Sequence, residues 1–348
     1  MSNIIQSERI ERGEYMKKKI IKFGKRTVLF VLASFLLLYC ISHLGFHRSV
    51  MASLSEFAMV VIDREKIYRV GDQYEENLEF RREENLKKYT MPDGVSLDVS
   101  LREDVEYGMQ TFYFNEEAFN GTVILYLSGG AYTNNPLKFH WDIINNIAKE
   151  TNNMVVMANY LKVPNYTCDE SYAVMEKFYC DLSKRDGVER MIFMGDSAGG
   201  GMCLVLAQMI RDDFPNLISP EELILIAPWM DVSMENEEIK DLDAVDPMLD
   251  ISGAINLGKL WAGERDVHDP MVSPIFGRFE NLGRITLFAS DRDMLYADII
   301  KFSEILNEQG IEHILVTEEG LNHPYPLFPI PEAKEAQQLM IDIINEEK

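Results

Sequence analysis

The chain has 348 residues, with 34 Lys and Arg against 57 Asp and Glu and a formal net charge of −23. At 47% hydrophobic and 26% charged residues, it has material for a large core, about two domains' worth at roughly 150 residues each. Disorder, a collagen-like fibre and a disulfide-stapled miniprotein are excluded, and so acidic a balance argues against nucleic acid, whose phosphates require clustered Lys and Arg.

The charge is uneven. Residues 1–48 carry nine Lys and Arg against three Glu, which leaves −29 on the other 300. Val28 to Ile41 is apolar except for Ser34, and carried to Phe46 the stretch reaches 19 residues. As a helix it would span about 28 Å, just short of the roughly 30 Å hydrocarbon core of a bilayer. Lys17, Lys18, Lys19, Lys22, Lys25 and Arg26 precede it, and only His43, His47 and Arg48 follow closely. The positive-inside rule then makes residues 1–27 a basic cytoplasmic start and 28–46 a signal anchor. The remainder lies outside the cytoplasm, tethered to the cell membrane. Two readings compete: a signal peptide cleaved near Val50-Met51-Ala52, giving a secreted protein, and a buried core helix, against which the flanking lysines weigh. Met16, directly before the lysine run, is a natural alternative start.

Ser53-Leu54-Ser55-Glu56 reads as a capping box. Phe57, Val61 and Tyr68, with Ala58 and Ile62, share one face of the helix that follows, and Gly71 ends it. Residues 73–89 give a second, highly charged helix, and Met91-Pro92-Asp93-Gly94 a turn.

From residue 95 the pattern becomes regular. Val95–Leu101 and Met109–Phe114 read as antiparallel strands, and Thr122–Leu127, Met154–Asn159, Met191–Met194, Leu223–Ala227, Ile285–Ala289 and Glu312–Val316 as further strands. Helices are expected at Phe139–Glu150, Asp169–Lys184, Ala198–Arg211, Ala297–Gln309 and Glu332–Asn345. Short apolar strands alternating with helices imply an α/β fold, a mostly parallel sheet covered on both faces. Residues 229–284 carry no strand pattern and supply helices and loops over one edge. Cys168 and Cys180, twelve residues apart on one helical pattern, would lie about 18 Å apart, too far for a disulfide. No cysteine spacing resembles a zinc site.

The strand Met191–Met194 runs into Gly195-Asp196-Ser197-Ala198-Gly199-Gly200-Gly201 and then at once into a helix. A sharp strand-to-helix turn would hold the Ser197 hydroxyl above the sheet, and glycine at 195 and 199 leaves room for so tight a turn. The helix N-terminus behind Ser197 favours negative charge on a reacting oxygen. A glycine-rich turn that binds an anion, or simply packs closely, is the alternative. The strand Val123–Leu127 ends in Ser128-Gly129-Gly130-Ala131-Tyr132. Acyl transfer needs backbone N–H donors aimed at a developing oxyanion, which Gly129, Gly130, Ala131 and Ala198 could supply. An ordinary strand-to-loop turn would look the same.

With these segments in place the chain resembles an α/β-hydrolase of the hormone-sensitive-lipase-like esterase family. Gly195-Asp196-Ser197-Ala198-Gly199-Gly200 is similar to that family's nucleophile motif, and Ile226-Ala227-Pro228-Trp229-Met230-Asp231 and Asp269-Pro270-Met271-Val272-Ser273-Pro274 also match family segments. The resemblance covers roughly residues 95–345 and implies a catalytic domain over 95–348, with a helical cap at 50–94. It departs at the family's His-Gly-Gly-Gly loop, where Ser128 replaces the histidine and Ala131 the last glycine. It departs again at the proline-rich segment, here Val163-Pro164-Asn165-Tyr166-Thr167.

Chain order in this fold is Ser, then Asp or Glu, then His. Three carboxylates compete after strand Ile285–Ala289: Asp291, Asp293 and Asp298. Asp293 fits the family's acid motif best, Asp291 is the runner-up, and Asp298 falls where helix capping suffices. His323 is the histidine that follows the last strand; His140 and His268 lie outside the expected catalytic turn, and His313 is inside a strand.

The expected function is a serine carboxylic-ester hydrolase acting on small-molecule esters, short-acyl by family resemblance. Ser197 is the nucleophile, His323 the base and then acid, and Asp293 the orienting carboxylate. No metal or organic cofactor is required. A peptidase or amidase on the same fold needs the same triad. A catalytically inactive, membrane-tethered binding protein would rest on Ser128 and the altered proline segment. Dimers are common in such folds, and the sequence does not specify one.

Overall fold

The computed structural model describes residues 16, 19, 22–24, 26–27, 29–62, 71 and 74–346. The basic start at 1–15, together with Lys17, Lys18, Lys25, Val28 and Tyr68, lies outside the described residues.

An apolar helix, α1 (Lys22–Gly45), is long and apolar enough to cross a membrane. Next come α2 (Val50–Ile62) and α3 (Tyr74–Asn85). The expected capping box does not start α2. The helix begins a turn earlier, where Ser49 Oγ accepts the Ala52 N–H at 3.1 Å. Ser53 lies inside it and bonds Ser42 and Arg48 instead. Helix α3 stops at Asn85 rather than 89, because Asn85 Nδ2 donates to the carbonyls of Thr133 and Val163 and pins the chain there. Tyr89 then pairs through its N–H with Gln110.

Eight strands form one sheet: β1 (Leu101–Glu106), β2 (Met109–Phe114), β3 (Thr122–Leu127), β4 (Met154–Asn159), β5 (Arg190–Asp196), β6 (Glu222–Ile226), β7 (Arg284–Ser290) and β8 (His313–Glu318). Their spatial order is β1-β2-β4-β3-β5-β6-β7-β8. β1 and β2 pair antiparallel, β2 pairs antiparallel with β4, and all other pairs are parallel.

The strand expected at Val95–Leu101 is not one. Its alternation is real, since Val95, Leu97 and Val99 are half-buried against the core. The Asp98 N–H, however, goes to the Asn145 side chain rather than to a strand. The first strand is the charged run Leu101–Glu106, turned into β2 through Tyr107 and Gly108, both at positive φ as a two-residue hairpin demands. Charge on this edge discourages pairing with another chain.

The parallel strands are apolar on both sides because both faces are covered. Val123, Leu125 and Leu127 pack one way, with α5 (Cys168–Ser183), α6 (Ser197–Asp213), α8 (Ile251–Ala262) and α9 (Tyr296–Glu308). Ile124 and Tyr126 pack the other way, with α4 (Lys138–Thr151) and α10 (Pro331–Asn345). The short helix α7 (Ile239–Asp243) packs against α8 and α9. Residues 229–284 carry no strand among those described. They do not merely flank an edge: Leu249, Ala254 and Leu257 reach over the C-terminal end of β5 to line a pocket with Ser197. All four cysteines are free thiols.

Candidate active site

Strand β5 ends at Asp196 and α6 begins at Ser197, with no loop between them. The change of direction is absorbed at Ser197, whose φ is +52°, a strained value for a residue with a side chain. The space is as tight as the sequence reading required. A Cβ on Gly195 would lie 2.7 Å from the Leu127 carbonyl oxygen, and one on Gly199 would collide with the same carbonyl. Ser197 is 7% exposed and lines a small apolar pocket of about 20 Å³ with Ala131, Trp229, Leu249, Ala254, Leu257 and Met294.

Beside it, β3 ends in the Ser128–Tyr132 loop. Gly130, Ala131 and Tyr132 all have positive φ, so the chain turns back on itself and the Gly130 carbonyl takes the N–H groups of Thr133 and Asn134. Tyr132 stacks on Trp261, with centroids 4.2 Å apart and rings parallel within 1°, and on Trp229. Trp229 and Ser273 belong to the two family-like segments after the nucleophile, and Ser273 Oγ accepts at 2.8 Å the N–H of Val232, the residue directly after the first segment.

One expected oxyanion donor is already engaged. Gly129 donates its N–H to Asp196 Oδ1 at 2.9 Å, so its hydrogen bond holds the loop rather than facing a substrate. Asp196 also accepts Tyr126 Oη at 2.7 Å and lies 3.2 Å from His140 Nε2. Burial alone would raise the Asp196 pKa, but His140, Tyr126 and the Gly129 N–H hold the carboxyl below its ordinary range. The sequence puts His140 outside the expected catalytic turn; α4 carries it to Asp196. Ser128 Oγ, standing where the family has histidine, is buried and has no hydrogen-bond partner among the described residues. The Ser128 carbonyl accepts Tyr160 Oη at 3.0 Å.

On the other side stand the loops after β7 and β8. Asp293 Oδ2 and His323 Nδ1 are 2.8 Å apart, and both side chains are buried. Asp293 Oδ1 accepts the Leu295 N–H at 2.8 Å, which fixes the carboxylate. Burial alone would lower the His323 pKa, but Asp293 beside it, backed by Asp246 and Asp196, carries it above the ordinary imidazole value. The two other candidate carboxylates bond elsewhere. Asp291 accepts the Gly320 N–H at 2.6 Å at the start of the histidine loop. Asp298, on the first turn of α9, is buried, receives Asn236 Nδ2 at 2.9 Å, and is pushed up to about 6 by burial.

Asp246 was not singled out in the sequence. It is buried, and its oxygens accept the N–H groups of Met248, Leu249 and Met294, so it ties the 229–284 segment to the residue after Asp293. Burial and the nearby Asp293 raise its pKa. Only its place in Asp246-Pro247, a turn-starting pair, offered a signal.

A larger cleft of about 750 Å³ opens next to the small pocket, lined by Met59, Phe80, Tyr89, Asn134, Leu137 and Met248 among others. Met248 faces the cleft and Leu249 the small pocket, so consecutive residues divide the two.

Comparison with known proteins agrees with this architecture. The family described as alpha/beta hydrolase fold matches residues 124–327. LipR of Mycobacterium tuberculosis, described as an acetyl-hydrolase, is 28% identical over 225 residues, 63% of this chain and 71% of its own. A crystal structure of a Staphylococcus aureus protein described as an esterase superimposes with a TM-score of 0.77 at 28% identity, covering 81% of this chain and 96% of that one. An esterase from the bacterial hormone-sensitive lipase family gives a TM-score of 0.67 at 18% identity, covering 83% and 97% of the two chains, a likeness of fold.

Proposed function

The chain belongs to the alpha/beta hydrolase fold family, and on that premise we propose that it is a serine carboxylic-ester hydrolase. The observation that carries this reading is the buried Asp293–His323 hydrogen bond on the loops that follow β7 and β8, together with a serine held at positive φ on a strand-to-helix turn.

In this reading Ser197 Oγ attacks the ester carbonyl carbon while His323 Nε2 takes its proton, and Asp293 fixes the ring through Nδ1. The Gly130, Ala131 and Ala198 N–H groups, at the loop and at the N-terminus of α6, receive the oxyanion. His323 returns the proton to the leaving alcohol, and an acyl-Ser197 ester remains. Water, deprotonated by His323, then releases the acid and restores the serine.

The small pocket beside Ser197 takes the acyl group. At about 20 Å³ it holds little more than a methyl, which favours short acyl chains. The 750 Å³ cleft takes the alcohol, between α2, α3 and the Met248 segment, so residues 50–94 act as the cap. Residues 28–46 are read as a membrane anchor, with residues 1–27 in the cytoplasm and the catalytic domain from 95 to 348 outside it. The support is the length of α1 and the lysines that precede the apolar run. Hydrolysis of p-nitrophenyl esters from C2 to C12 by wild type and Ser197→Ala tests the assignment. Turnover confined to wild type and falling beyond C4 supports it, and equal rates in the two proteins would refute it.

A further inference from the structure

Helix α2 wears its faces the wrong way round for a helix in water. Ala52, Ser53, Glu56 and Met59 face the protein: Ala52 is buried, and Glu56 pairs with Arg48 and Arg292. Met51, Leu54, Phe57, Val60 and Val61 face outward, with Phe57 67% exposed. Glu56 is the one ionisable residue of α2, so its outward face carries no charge on a chain with a net charge of −23.

There is also no slack between this helix and α1. The connecting residues 46–49 are fastened to the body: Arg48 is buried, its Nη1 donates to the Gly320 carbonyl at 2.7 Å and its Nε to Ser53 Oγ at 3.0 Å. Ser42, near the end of α1, donates to Ser53 at 2.8 Å, and the Ser49 N–H reaches Glu332 at 2.6 Å. If α1 spans the bilayer, the body cannot stand off from it, and α2 is held where the helix leaves the membrane. Met59, on the inner side of α2, accepts Asn322 Nδ2 next to His323 and lines the large cleft.

We propose that α2 is an interfacial helix whose outward face lies in the bilayer surface, so that the cleft takes esters dissolved in the membrane: a short acyl group on a long apolar alcohol. An uncharged apolar helix face fixed at the exit of a membrane span buries its area in the acyl-chain boundary. The proposal rests on the readings of α1 as an anchor and of Ser197 as the nucleophile.

The test uses the full chain in phosphatidylcholine vesicles containing lipids brominated near the top or the middle of the acyl chain. Phe57→Trp is compared with Leu36→Trp in α1, against the wild-type tryptophan background. The expected result is quenching of Trp at 57 by shallow bromines and of Trp at 36 by deep ones. Quenching at 36 alone overturns the proposal and leaves the anchor; a blue-shifted but unquenched Trp at 57 means that a second copy covers the face, which also overturns it. No quenching at either position removes the anchor reading, and the proposal with it.

A second arm measures rates. Phe57→Glu should lower hydrolysis of hexadecyl acetate in the same vesicles about tenfold, the order of effect of withholding one large apolar side chain from burial. Its rate on soluble p-nitrophenyl acetate should equal wild type. Equal losses on both esters, or none on either, overturn the proposal, whereas a wild type inactive on p-nitrophenyl acetate refutes the esterase reading itself.

Discussion

Asp291 and Asp293 sit two residues apart and grip the two ends of one loop: Asp291 takes the Gly320 N–H at 2.6 Å, and Asp293 stands 2.8 Å from the His323 ring. Ser290 reinforces the grip by bonding both the N–H and the carbonyl of Leu321. The loop after β8 is therefore positioned by the loop after β7, and in the proposed reading neighbouring carboxylates divide placement from chemistry.

That division is measurable. Asp293→Asn should reduce kcat about ten-thousandfold, because the ring loses the partner that sets its tautomer. Asp291→Asn should cost less than about tenfold in rate, with a lower Tm, since it removes one charge-assisted bond at the rim. Steady-state kinetics of the two variants distinguish the roles, and comparable losses of kcat would count against Asp293 as the orienting carboxylate.

The pH profile should carry the mark of a crowded acidic site. His323 must be neutral to accept a proton, and its pKa lies above the ordinary value although burial works against it. The acidic limb of kcat/KM should therefore fall at a pH above that expected of a free imidazole, about 6.5. Asp246→Asn removes one of the negative charges responsible and should move that limb to lower pH. In stability the sign is fixed by the same raised pKa: the charged histidine's contribution is full below its unfolded pKa and fades as pH rises through the folded one.

The nucleophile turn should tolerate no side chain at its second glycine. Gly199→Ala places a methyl against the Leu127 carbonyl, backbone that cannot step aside, and should cost about 3 kcal/mol or more. Denaturant melts of any folded protein recovered would read this directly, and a variant as stable as wild type would contradict the packing described.

Most of the sheet and the Ser197 turn were legible because their signals are local: apolar strands of five to seven residues, and glycines demanded by a close backbone approach. Chain order singles out Asp293 and His323 as candidates, and their side chains do meet. What escaped notice depends on contacts between distant segments. His140 reads as an ordinary helical residue until α4 brings it to Asp196. Gly129 looks like an oxyanion donor until Asp196 claims its N–H. The alternation of Val95, Leu97 and Val99 is that of a half-buried extended segment, and only the Asp98–Asn145 bond reveals that it joins no strand. Phe57 and Val61, placed by the sequence on one apolar face of α2, turn outward, which no local signal announces.

The Asp196 cluster offers a further test. His140→Leu removes one partner of a buried carboxylate that also holds Gly129, so the oxyanion loop should loosen. We expect kcat to fall about tenfold to a hundredfold with KM little changed, the signature of donors misplaced only in the transition state. A change confined to KM would place His140 in substrate binding instead.

The proposed acyl site, the small pocket beside Ser197, can be tested separately. Leu249→Ala should widen the 20 Å³ space beside Ser197 and move the chain-length optimum from C2 toward about C4, each methylene then gaining contact rather than clashing. An optimum that stays in place would mean that the acyl group lies in the larger cleft.

The proposed hydrolase depends on Ser197 as a nucleophile activated by His323. The most direct measurement is covalent labelling by a fluorophosphonate probe, followed by mass spectrometry of the modified peptide. One label is expected, on Ser197, and it is lost in both Ser197→Ala and His323→Ala. A folded wild-type protein that takes no label, or a label that persists in His323→Ala at the wild-type rate, would contradict it.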